Sequence, residues 1–180
     1  TRADQRKVAD LWVINSLASP RPKLETYRYA MPGEENVDQE ELLVFDRDTK
    51  KRVTVKADAF KDQTLQVATA RSLARDRDKE KTEPRWLGDT SDKLHFWRLS
   101  RDLHRVDVCV ADAETGEVKP IIEERLNTYI ETQPLWTIGN GQEFIHWSER
   151  DGWGHYYLFG ADGTLMAAAD PRRGAHAIGW

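Results

Sequence analysis

The chain has 180 residues and a net charge of −4, from 27 Lys and Arg against 31 Asp and Glu. It is 39% hydrophobic, with a mean hydropathy of −0.73 and seven Trp and five Tyr. That is polar, but too aromatic for disorder and too mixed in charge for a general nucleic-acid binder. The single cysteine, Cys109, excludes an internal disulfide framework and a Cys-based zinc cluster. No apolar run approaches the roughly 20 residues that span a bilayer.

Residues 1–10 are charged and expected to be frayed. Leu11–Asn15 is a short apolar strand, and Ser19-Pro20-Arg21-Pro22 ends it, because proline cannot donate to a ladder. Leu24–Met31 alternates and predicts a second strand, with Pro32–Asn36 as a turn. Glu41–Asp46 and Arg52–Val55 predict a third and a fourth around Arg47–Lys50. Leu65–Ala70 is a weak strand or the start of a helix. Ala70–Thr82 is dense in alternating charges and reads as a solvated loop or exposed helix.

Leu94–Asp102 and the run from Val106 to Gly116 predict a hairpin, and Val118–Ile122 a further strand. The neighbours Val108 and Val110 put Cys109 inside a buried strand. Leu126–Glu131 is a linker or outer strand. Phe144–Leu165 holds two aromatic runs divided by Ser148–Gly152 and closed by Ala161-Asp162-Gly163, a hairpin leading into a third strand. Residues 166–180, rich in Ala, Gly and Arg, show at most a partial strand and are expected to be a ragged end.

The two later units repeat. Trp86 and Trp136 open them fifty residues apart, and an Arg-Asp turn recurs at Arg101-Asp102 and Arg150-Asp151. A period near fifty with about four short strands is the signature of a β-propeller blade, in which neighbouring small sheets bury each other's faces. The fold expected is all-β: a partial β-propeller of about three blades of four-stranded antiparallel sheet. It spans 11–165, with approximate blades at 11–70, 85–124 and 134–165. An arc of three blades cannot close a ring, so self-association or a marginal monomer is expected.

Motifs for chemistry are missing. There is no Gly-x-Ser-x-Gly elbow, no His-Glu-x-x-His, no Walker loop and no Gly-x-Gly-x-x-Gly. No catalytic residue, metal site or cofactor is assigned. Asp102 and Asp151 read as turn-formers, and Arg101 and Arg150 as donors to loop carbonyls or neighbouring carboxylates. Arg101, Asp102, Arg150, Asp151 and Trp153 are also the candidates for contact with a ligand or partner. His104 and His155 read as histidines that hydrogen-bond those turns. Trp97, Trp147 and Trp153 read as packing between blades.

Leu11-Trp12-Val13-Ile14-Asn15, Arg21-Pro22-Lys23-Leu24-Glu25-Thr26-Tyr27-Arg28-Tyr29 with Met31-Pro32-Gly33-Glu34, and Trp147–Trp153 resemble the N-terminal propeller of bacterial dipeptidyl peptidase IV-like enzymes, of the prolyl oligopeptidase class. The resemblance implies a non-catalytic propeller fragment that shapes substrate access to a C-terminal α/β-hydrolase domain of the parent chain. It also implies a peptide substrate, a possible homodimer, and a periplasmic or extracellular location. The family's paired glutamates, which hold the substrate's amine, have no match here, and Glu34-Glu35 is not given that role. The other reading is a stand-alone module that binds a protein or glycan.

Overall fold

The computed structural model describes residues 1–67, 71–72, 86–87 and 91–169. Among these there are fifteen strands and no helix. Among the described residues no helix is long and apolar enough to cross a membrane.

The best-formed sheet is four-stranded and antiparallel. It comprises β7 (Gln63–Val67), β9 (Lys93–Ser100), β10 (Arg105–Asp112) and β11 (Val118–Arg125), in the spatial order β11-β10-β9-β7. Its first strand lies upstream of the expected start at 85, and Trp86 contributes only an isolated bridge to Leu94. The sequence hides this because β7 joins β9 across the intervening charged segment, most of which lies outside the described residues. Residues 68–70 of the expected Leu65–Ala70 strand lie outside them too.

The next sheet is built from β12 (Trp136–Ile138), β13 (Glu143–Ser148), β14 (His155–Gly160) and β15 (Leu165–Ala169), with β8 (Arg71–Ser72) parallel to β12 at its edge. The stretch expected to be ragged therefore begins with a paired strand: Ala167, Ala168 and Ala169 lie opposite Leu158, Tyr157 and Tyr156. Small side chains weaken the sequence pattern without preventing ladder formation. Residues 170–180 lie outside the described region.

The first part of the chain departs most from expectation. β1 (Arg2–Asp4) pairs with β4 (Gln39–Glu41), and β5 (Leu43–Phe45) pairs with β6 (Arg52–Thr54). Residues 1–10 are thus anchored rather than frayed: β1 is paired and Val8 is fully buried. The anchor is non-local, about 35 residues away along the chain, so local composition cannot reveal it. Among the described residues β2 (Asp10–Asn15) and β3 (Lys23–Arg28) pair only with each other. They form a separate ribbon between β1 and β4, not the first half of a four-strand meander.

Side-chain alternation on β9 and β10 explains the stacking. Leu94 and Phe96 with Cys109 and Ala111 pack against Leu42, Val55 and Ala57 of the first unit. Trp97 and Leu99 with Val106 and Val108 pack against Leu135, Phe144, Tyr157 and Phe159 of the last. Successive residues of a strand point to opposite faces, so one sheet serves two cores. Burying both faces explains why β9 is enclosed from Leu94 to Ser100. Cys109 lies at the centre, and burial pushes its thiol up to about 12, so it is an inert core residue.

The outer hairpins share one turn chemistry. Asp46 Oδ1 accepts from the backbone N–H groups of Asp48 and Thr49, and Asp112 Oδ1 from those of Glu114 and Thr115. Asp162 accepts from the N–H and hydroxyl of Thr164. Hydrogen bonds from Thr49, Thr115 and Thr164 hold these carboxyls below the usual range.

Two of these turns also seat one sheet on the previous one. A Cβ on Gly116 (φ +74) would stand 2.4 Å from Thr54 O, and one on Gly163 (φ +88) 2.6 Å from Ile121 O. Each glycine therefore lies against the last strand of the preceding unit.

Candidate functional site

The joints between sheets carry charge as well as apolar contact. At the first joint, Arg98 on β9 is cross-strand from Asp107 on β10. Arg98 Nε and Nη2 donate to Asp107 Oδ2 at 2.9 and 2.6 Å, and Arg98 Nη1 donates to the Ala57 carbonyl of the preceding unit at 2.9 Å. Arg125 Nη1 stands 2.6 Å from Asp107 Oδ1. Arg98, Arg105 and Arg125 all face the ring of Phe60, at 5.4, 4.5 and 5.4 Å from its centroid. Three guanidiniums thus clasp the connector between the first and second units. Arg105 is balanced by Asp62 at 3.3 Å.

At the second joint, Glu124 of β11 meets β13. Arg150 Nη2 donates to Glu124 Oε1, and His146 Nε2 lies 3.3 Å from the same oxygen. Burial pushes the Glu124 carboxyl up, but the contacts with His146, Arg150 and Ser148 outweigh it and hold it below the ordinary range. The Arg150 guanidinium also lies 5.1 Å from the rings of Tyr157 and Phe159.

The residues singled out from the sequence fall on the turns joining β9 to β10 and β13 to β14. Arg101 Nη2 donates to the Ala30 carbonyl at the root of the ribbon. Asp102 Oδ1 accepts from His104 N at 3.0 Å, and Asp151 Oδ1 from Trp153 N at 3.2 Å. Both aspartates therefore make the same local turn bond. The hydroxyl of Ser100 and the N–H of His104 hold Asp102 below the usual carboxylate range. His104 Nδ1 is 3.7 Å from Asp102, and His155 Nε2 is 3.8 Å from Asp151.

Ser100, Asp102 and His104 sit together, but not as an activated nucleophile. The Ser100 hydroxyl donates to the carboxylate, accepts from Arg105 N, and is buried. Trp153 is 66% exposed, whereas Trp97 is buried and meets His146 with 5.7 Å between ring centroids. Trp147 stands edge-on to Tyr156 within its own sheet.

Among the described residues the turns border one small hollow. The small hollow beside them, between Leu126, Ile130, Trp147 and Glu149, is too tight to hold a ligand. The more open depression lies elsewhere, among Arg2, Arg6 and Arg28. It is charge-balanced, with Glu41 3.7 Å from Arg2, Asp4 2.6 Å from Arg6 and Asp10 3.3 Å from Arg28. Among the described residues no group of three His, Cys, Asp or Glu is placed to hold a metal.

Sequence reasoning missed the Arg98–Asp107–Arg125 network, Phe60 and Glu124. One available signal was the recurrence of Phe96-x-Arg98-x-Ser100 as Phe144-x-His146-x-Ser148, which puts a polar side chain at the same level of two strands.

The family model for the dipeptidyl peptidase IV N-terminal region matches residues 1–176. The chain belongs to that family. The solved structures that this dipeptidyl peptidase IV N-terminal region matches include two bacterial ones. One is Porphyromonas gingivalis dipeptidyl peptidase 4, at TM-score 0.71 and 19% identity, over 93% of this chain and 22% of that one. The other is a Bacteroides ovatus protein described as a dipeptidyl aminopeptidase IV, at TM-score 0.65 and 23% identity, over 89% of this chain and 20% of that one. Likeness at this identity establishes the fold, and the stacked sheets of this dipeptidyl peptidase IV N-terminal region are an open part of a β-propeller. The chain spans about a fifth of the length of either relative. No curated protein matches it.

Proposed function

We propose that this chain is the non-catalytic propeller part of a dipeptidyl peptidase IV-like serine exopeptidase. Its role is to shape access of peptides to a C-terminal α/β-hydrolase domain of the parent chain. The observation that carries the reading is the family match over residues 1–176. The charge distribution supports it: the buried ions are satisfied within and between sheets, as expected of scaffold rather than reaction centre. The exposed Trp153 and the turns at Arg101-Asp102 and Arg150-Asp151 are the residues we assign to contact with the hydrolase domain or the peptide. The reading carries a periplasmic or extracellular location, which cell fractionation tests. The deciding assay presents the full-length protein with chromogenic Xaa-Pro dipeptide substrates. Release of the dipeptide is expected. No release from a folded protein with an intact Ser-Asp-His triad would overturn the reading and favour a protein- or glycan-binding module.

The ribbon supports a second copy as partner. Trp12 is 72% exposed, Ile14 68%, Leu24 61% and the tip residue Leu17 93%. A lone two-stranded hairpin is at best marginally stable in water, and this one leaves large apolar side chains uncovered. We assign the ribbon to a contact between subunits. Removing residues 10–28 from the full-length protein should convert a dimer to a monomer in light scattering after size exclusion. A dimer that survives the deletion would refute the assignment.

A further inference from the structure

The joint between the second and third sheets holds an imidazole that has no polar partner among the described residues. His95, on β9 opposite Val110, points toward the last unit and meets Phe144 edge-on, with 6.4 Å between ring centroids. It is 0% exposed, and among the described residues no group hydrogen-bonds either ring nitrogen. A second buried imidazole, His146, lies along the same joint between Trp97 and Phe159. The two differ in company: His146 has the Glu124 carboxylate beside it, with Arg150 behind, whereas His95 has Val110 across the ladder and Phe144 against its ring.

Besides His95, the charged groups and histidines on these strands are Lys93 and Arg98 on β9, Arg105, Asp107 and Asp112 on β10, and Glu143 and His146 on β13. Arg98 and Asp107 face the other side of the sheet, paired with each other. None of the seven hydrogen-bonds the His95 ring.

We propose that this joint is an acid-sensitive seam: when His95 takes up a proton, the contact between β9 and β13 opens while the other joints hold. A cation enclosed by apolar side chains without a counter-ion is expelled or hydrated, and hydration requires the two sheets to part. The sense of the pH dependence follows from burial, which lowers the imidazole from its ordinary 6.5 to about 4. The closed seam excludes the proton and the open seam accepts it. The seam is therefore fully stable above pH 6.5 and loses stability as pH falls from 6.5 toward 4. At pH 5 the opening equilibrium should be roughly thirtyfold larger than at pH 7.5.

Hydrogen–deuterium exchange of the full-length protein at these two pH values, corrected for the intrinsic rates, tests this. Loss of protection in acid should concentrate in Lys93–Ser100 and Glu143–Ser148, while β5 and β6 keep theirs. His95→Leu, which cannot be charged, should abolish the difference. Equal loss across all sheets, no loss, or an unchanged acid response in His95→Leu would overturn the proposal. Should that variant not fold, the exchange map of the unaltered protein decides by itself.

Discussion

Replacing Asp107 with Ala is expected to lower the unfolding free energy by about 3–5 kcal/mol, the cost of breaking a buried ion pair from one side. The size follows from the geometry. The Asp107 side chain is 1% exposed and that of Arg98 is 7% exposed, and both Asp107 oxygens meet guanidinium groups. Without the carboxylate, Arg98 retains, among the described residues, the Ala57 carbonyl and the Phe60 ring as partners for a full charge out of water. The double replacement Arg98→Met with Asp107→Leu removes both charges, and much of the loss should return. Arg105→Ala gives the contrast: its side chain is 41% exposed, so its pair with Asp62 should be worth no more than about 1 kcal/mol. Urea unfolding of the three variants and the parent measures these differences. An Asp107→Ala protein within about 1 kcal/mol of the parent would show that the network contributes little.

A second large effect is expected at Gly163. Alanine there must adopt a left-handed backbone at φ +88 and place its Cβ 2.6 Å from a backbone carbonyl of the preceding sheet. The conformation costs about 1–3 kcal/mol and the forced separation about as much again. Gly33 supplies the control, since it has nearly the same φ, +86, but nothing within 4 Å of the added carbon. Gly33→Ala should therefore show the backbone cost alone, and the gap between the two melting temperatures measures the sheet-to-sheet contact. Equal melting temperatures would mean that the turn can lift from Ile121 without penalty.

Both effects arise from contacts between sheets, and those were the least legible part of the sequence. The hairpins of the second and third units could be read from their residues, because aromatic and β-branched runs ended by Asp-Gly or Asp-x-x-Thr-Gly are local signals. The pairing of β1 with β4 and of β7 with β9 could not, because each joins segments far apart in the chain. Arg98 is a lone charge within an aromatic and aliphatic run. It is buried because β9 has a neighbour on both faces, which a single-strand pattern cannot express. The ribbon misled for the opposite reason: its alternation satisfies a strand, but its apolar side chains meet no sheet among the described residues. The donors at Arg101 and Arg150 were legible as donors. Their acceptors, the Ala30 carbonyl and Glu124, needed the fold.

At the root of the ribbon, Tyr29 N donates to Ala9 O at 3.1 Å, so the points where the chain leaves and re-enters the first unit are already side by side. Such a junction accepts inserts of very different length, because the entropic cost of tying off a longer loop grows only logarithmically. A fluorescent reporter or an epitope could be spliced there as a graft, with the stacked sheets serving as an undisturbed chassis.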